Sequence, residues 1–127
     1  MTKPVRIQLS RRKGFNLQEA SRAINGLDAV NVARPSKFGN PFTKDAAIES
    51  EYATEETWRE FVVECFSDWL GPTQQGRDWW QGKEADKRKA AILDNLHLLR
   101  GRNLACFCGP TDHCHADILL SLCEEVK

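Results

Sequence analysis

From its start the chain alternates apolar and polar residues: Val5, Ile7 and Leu9 are interleaved with Arg6, Gln8 and Ser10. A period of two marks a half-buried strand. "RRKG" ends that run, and "NLQEASRAING" predicts a short helix stopped at Asn25-Gly26. "AVNVA" predicts a second short strand. The clearest helix is "TEETWREFVVECFSDWLG". Trp58, Phe61, Val62, Cys65, Phe66 and Trp69 recur there at helical spacing, with Thr54 as a suitable N-cap and Gly71-Pro72 as a stop. Glu55 and Glu56 suit the positive end of its dipole. Trp79 and Trp80, in the polar stretch "TQQGRDWWQG", are expected to cover the core or a cleft edge. "KEADKRKAAILDNLHLLRG" predicts another helix, with Ala85, Ile92, Leu96 and Leu99 on one face and His97 as a surface or packing residue. "NLACF" is the third strand, and "HCHADILLSLCEEV" the closing helix, burying Ile118, Leu119, Leu122, Cys123 and Val126.

Strands alternating with helices imply a layered α/β fold. The expectation is a small single α/β domain over residues 1–127, its short, mostly parallel sheet flanked by helices. Strands near residues 5–9, 30–32 and 103–107 would share the sheet. Trp58, Phe61, Phe66 and Trp69 would form the main core with Ile92, Leu96, Leu99, Leu119 and Leu122. No repeat or low-complexity linker divides the chain.

Composition narrows the setting. Apolar residues make up 41% of 127 residues, enough for one modest core. No apolar run approaches the roughly 20 residues that cross a bilayer, so no membrane partner is expected. "MTKPVRIQLSRRKG" lacks the apolar segment of a secretory signal, so the expected compartment is the cytoplasm. A disulfide framework is then unexpected for Cys65, Cys106, Cys108, Cys114 and Cys123. Net charge is zero, but residues 1–44 carry nine Lys or Arg against Glu19 and Asp28. Residues 45–70 carry eight acids against Arg59 alone. Neutrality gives no general case for nucleic-acid binding; the basic third is suited to a local anion site.

Chemistry concentrates in two polar clusters. In "NVARPSKFGNPFTKD", Arg34 and Lys37 offer charge, Ser36 and Asn40 offer directional hydrogen bonds, and Gly39 permits close approach of main chain to a ligand. That set suits a phosphorylated small molecule or a nucleotide. The loop is neither a Walker loop nor a dinucleotide fingerprint, and no cofactor is expected. The second cluster, "CFCGPTDHCHAD", leaves a strand and opens a helix whose N–H groups attract anions and favour a thiolate. Cys114 or Cys108 is a candidate reactive thiol, with His115 or His113 as a base and Asp117 or His115 as an acid-base group. Cys106, Cys108, Cys114 and His115 also raise zinc. However, Cys114 and His115 would diverge by about 100° if both were helical, and tetrahedral coordination by all four is then disfavoured. No metal is expected on that ground.

The motifs "VRIQLSRRKGF", "VNVARPSKFGNPF" and "GRNLACFCGPTDHCHADILLSL" together resemble the family called domain of unknown function 4326, found in phages, prophages and bacteria. Its members pair V-x-R-x-[ST]-K-[WF]-G-N-P-F with L-x-G-K-x-L-x-C-W-C and C-H-A-D-x-L. By position the resemblance marks Arg34, Ser36, Lys37, Gly39, Asn40, Pro41, Cys106, Cys108, Cys114, His115 and Asp117. Arg102 stands where Lys is usual, and Phe107 where Trp is usual. The C-terminal half also resembles domain of unknown function 488, in which a strand ending in cysteine precedes a "CHR" helix start. These resemblances imply a strand-helix pocket built around Cys-His and make a four-ligand zinc knuckle less attractive. The reading is therefore a protein that binds a nucleotide or phosphorylated small molecule, as an enzyme at an N-glycosidic or phosphate bond or as a sensor. The alternatives are a phage-associated nucleic-acid module using Arg6, Arg11, Arg12, Lys13 and Lys37, and a structural zinc domain. The two clusters, distant in sequence, are expected to line one pocket.

Overall fold

The computed structural model describes residues 3–34, 36–70, 82–109 and 111–125. The expected stop at Gly71-Pro72, the pair Trp79 and Trp80, and Val126 lie outside them. Strands β1 (Arg6–Gln8), β2 (Ala29–Asn31) and β3 (Asn103–Cys106) form one parallel sheet in the order β1-β3-β2. Ile7 lies opposite Ala105 and Val30 opposite Leu104, so the three predicted strands do share a sheet. All four residues of β3 are buried, as a central parallel strand requires.

Alternation along β3 divides it between two helical layers. Leu104 and Cys106 join the main core with Phe66, Trp69, Ile92 and Leu119. Ala105 joins Ile7, Leu9 and Ala29 in a second core. Asn103, on the Ala105 face, donates and accepts hydrogen bonds with α1 (Leu17–Asn25) at Ser21 and Asn25. The first layer consists of α3 (Trp58–Leu70), α4 (Lys83–Leu93) and α5 (His115–Glu125). The architecture is thus α/β, with a short parallel sheet between helices. Among the described residues no helix is long and apolar enough to cross a membrane.

Local chemistry sets the helix ends. Asn16 Oδ1 accepts from the Glu19 N–H at 3.1 Å, and Gly26 closes α1 at φ 79° with its N–H on Arg22 O. α2 (Lys44–Glu49), absent from the expected elements, is capped by Thr43 Oγ1 on the Ala46 N–H at 3.2 Å. α3 begins after a turn in which Thr54 N–H donates to Thr57 Oγ1 at 2.9 Å. The single long helix expected over residues 83–101 is broken. Asn95 Nδ2 donates to Ala91 O at 2.7 Å, so a side chain competes for a helical carbonyl. A 3-10 turn at Leu96–Leu98 follows, and Leu96 and Leu99 still reach the core. His97 is exposed there.

The expected burial is corrected at five positions. Trp58 and Phe61 are half-buried and pack on a small separate cluster of Ala47, Ala53 and Val62 beneath α2, and Ile118, Leu122 and Cys123 are half-buried at the edge of the main core. Cys65, 2% exposed within α3, is a buried thiol as expected. Burial, aided by Asp68 and Glu64, pushes it up from 9.0 to about 12. The unfolded chain ionises this thiol first, so its contribution to stability is intact below pH 9.0 and fades as pH rises toward about 12. A Cys65→Ala variant should show a shallower alkaline decline in Tm than the parent. Identical alkaline slopes would contradict that account.

Candidate functional site

Because β2 and β3 are parallel, the segments leaving their carboxyl ends emerge on the same side of the sheet. Val32–Phe42 follows one strand and Phe107–Cys114 the other. Between them lies a cavity of about 320 Å³ lined by residues of both segments and of α3. Arg34, Asn40, Cys108, His113, Cys114 and His115 border it, as do Lys44, Trp58 and Arg59. The two clusters therefore meet, as expected. Ser36, Lys37, Gly39 and Asp117 are not on this wall.

The first segment is held by its own side chains. Asn40 is 7% exposed; its Nδ2 donates to Val62 O at 3.0 Å, and its Oδ1 accepts from the Phe42 N–H at 2.9 Å. Arg34 Nη1 donates to Asn40 O at 3.1 Å. Asn40 thus pins the loop to α3, and Arg34 is braced against the loop it closes. Gly39 serves the same closure: a Cβ there would meet Arg34 Cγ at 2.8 Å, so the glycine lets the chain pass close to Arg34. Ser36 Oγ accepts from the Phe38 N–H at 3.2 Å. Ser36 and Lys37 border a second, larger cavity of about 950 Å³ with Arg34, Phe42, Phe61 and Arg88.

The second segment builds a knot of sulfur. Cys106 Sγ and Cys114 Sγ are 2.7 Å apart, and the sulfurs of Cys106, Cys108 and Cys114 all lie within 4.8 Å of one another. α5 begins at His115, so Cys114 sits just outside the helix, where its sulfur receives the Ala116 N–H. The divergence expected of two helical neighbours is thereby avoided. Hydrogen bonds from Cys106 and then Cys114, with Arg59 beside them, favour the Cys108 thiolate. The bonds with Cys108 and Cys114, and then burial, push the Cys106 thiol up. His115 is 8% exposed; its Nε2 lies 2.7 Å from Val32 O. A carbonyl only accepts, so Nε2 carries the proton and Nδ1 presents a lone pair 3.9 Å from Cys114 Sγ. Burial pulls the imidazole down and keeps it neutral.

Two arginines flank the sulfurs. Arg59 Nη1 lies 3.6 Å from Cys108 Sγ, and Arg6 places its guanidinium against Cys114. Arg6 also donates to Asp112 O at 2.9 Å and Gly109 O at 3.1 Å and pairs with Asp117 at 3.4 Å. Asp117, expected to move protons, pairs with Arg6, which clamps the turn between β3 and α5. The Arg6 side chain is 11% exposed. Arg59, Lys44 and Trp58 were not among the expected site residues. Arg59 had a signal: it is the single cation within the acidic stretch 45–70. Lys44 and Trp58 had none, because α2 was missing from the expected elements and Trp58 read as core.

No curated protein and no solved structure matches the chain. The model of one family, described as a domain of unknown function (DUF4326), matches residues 15–125, a span holding both cavity segments. The chain belongs to the DUF4326 family.

Proposed function

We propose that the protein binds a small phosphorylated molecule, a nucleotide among the candidates, in the cavity between the two segments. The observation that carries this reading is the convergence of three cations, Arg34, Lys44 and Arg59, on a cavity whose wall also holds Phe42, Trp58, Val62 and Val63 beside the cysteine and histidine cluster. Its volume of about 320 Å³ is at the lower end of the 300–1,000 Å³ usual for small-molecule sites. Lys44 and Arg59 both lie against the Trp58 ring, at 5.4 and 4.5 Å from its centroid. Two cations held over an aromatic ring beside the cavity suit a ligand that carries phosphate. Cytoplasmic residence fits the same reading, since a reducing compartment keeps the cysteines beside the cavity out of disulfides. The nucleic-acid alternative loses Arg6 to the interior.

A thermal-shift panel of inorganic phosphate, nucleoside mono-, di- and triphosphates and short DNA, followed by calorimetry, tests the reading. At least one phosphorylated small molecule should raise Tm. Lys44→Ala and Arg59→Ala should each weaken it about tenfold or more, as expected for charge-assisted hydrogen bonds. A panel without any shift, or variants that bind as the parent does, would sink the proposal. Release of base or phosphate during incubation would extend binding to catalysis.

A further inference from the structure

We propose that Cys106, Cys108, Cys114 and His115 hold one zinc-class metal ion through their sulfurs and His115 Nδ1. The inference is independent of what occupies the cavity. Tetrahedral zinc with Zn–S near 2.3 Å and Zn–N near 2.0 Å sets sulfurs about 3.8 Å apart and sulfur-to-nitrogen pairs about 3.6 Å apart. The sulfurs of Cys106, Cys108 and Cys114 lie within 4.8 Å of one another, and Cys114 Sγ is 3.9 Å from Nδ1. To hold the ion, the Cys106–Cys114 pair, at 2.7 Å, opens by about 1 Å, and His115 Nδ1, which is not within 4.8 Å of all three sulfurs, draws in toward them.

The surroundings fit a cation. His115 donates its other ring nitrogen to Val32 O, the arrangement that orients a ligating imidazole. The Cys108 N–H reaches Cys106 Sγ and the Ala116 N–H reaches Cys114 Sγ, so backbone donors orient two of the three sulfurs. A divalent ion with three thiolates and a neutral imidazole carries one net negative charge. The guanidinium groups of Arg59 and Arg6 stand beside it. Loading the site releases the protons held by the thiols. Soft sulfur with one imidazole in a tetrahedral array selects zinc over harder ions. With all four positions supplied by the chain, the ion would tie the ends of β2 and β3 to the start of α5. Its role would be structural.

Elemental analysis of the full chain, purified under reducing conditions without chelator, should find about one zinc per chain. Cobalt loading should give sulfur-to-metal charge transfer with the intense visible bands of a tetrahedral ion. Cys108 is half-buried, so Cys108→Ser should fold, and its zinc affinity should fall more than about 100-fold. His115→Cys should retain the metal and strengthen the charge-transfer band. Zinc below about a tenth per chain, both as purified and after anaerobic reduction and refilling, would overturn the proposal. So would a Cys106–Cys114 disulfide whose reduction yields no zinc uptake, or parental affinity in Cys108→Ser. An unchanged cobalt spectrum in His115→Ala would remove the nitrogen ligand and with it the site as drawn. None of these readouts involves a phosphorylated ligand, so their failure leaves the ligand reading standing.

Discussion

Phe66→Ala should destabilise the protein by about 3–5 kcal/mol, seen as a Tm lowered by about 10–20 °C. Phe66 is 0% exposed and lies where the helical layer meets the sheet, in one core with Leu104, Ile92 and Leu119. Truncation loses the transfer energy of the ring and leaves a cavity that close-packed neighbours cannot fill. Its ring meets Trp69 at 6.3 Å and stands perpendicular to the His115 imidazole at 5.4 Å. Phe66→Leu should recover most of the stability while still losing the edge contact to His115. Phe61→Ala is the internal control: Phe61 is half-buried in the smaller cluster and should cost less than half as much. Equal losses at positions 61 and 66 would mean that the two clusters do not differ as described.

The strands were legible because each carries a pattern that only a sheet explains. Val5, Ile7 and Leu9 alternate, while "AVNVA" and "NLACF" are too short for helices and are bounded by turn residues. α2 was not legible in the same way. Six residues with two alanines show little periodicity, and the informative feature was the cap, Thr43 with Asp45 in the first turn. The break after α4 was hidden by a helical pattern that continues through Leu96 and Leu99. What ends the helix is a hydrogen bond from Asn95, a side-chain event that hydrophobic periodicity does not register.

The site was legible as a place more than as a set of roles. Two loops leaving parallel strands had to meet, and they do. Which side chain faces the cavity depends on turns of a few residues, where one step reverses a direction. Ser36 and Lys37 border the larger cavity, and Gly39 makes room for Arg34. The case against four converging ligands rested on Cys114 and His115 sharing a helix. α5 starts at His115, two residues later than expected, which leaves Cys114 outside the helix with the three sulfurs together and Nδ1 of His115 beside Cys114 Sγ.

Asn103→Leu should cost about 3 kcal/mol or more, although the two side chains are similar in size. Asn103 is 0% exposed on the α1 face of the central strand, a position an apolar residue would ordinarily take. Every polar atom of its side chain is used. Oδ1 accepts from the Val5 N–H at 2.9 Å and from Asn25 Nδ2 at 2.8 Å. Nδ2 donates to Ser21 Oγ and to Asn25 Oδ1, each at 2.8 Å. A leucine leaves those groups short of partners, at about 1–3 kcal/mol for each group stranded. Adding Asn25→Leu should restore part of the loss, because removing both partners strands fewer groups than removing one. The bonds also set register: Asn103 opposite Ala29 fixes Leu104 opposite Arg6, and with it the face on which Cys106 lies. A slip of one residue would turn Cys106 away from Cys114 and toward α1. Hydrogen exchange at the β3 amides should therefore accelerate in Asn103→Leu together with the fall in Tm. A variant that melts within about 2 °C of the parent with unchanged exchange would show that packing alone holds the register.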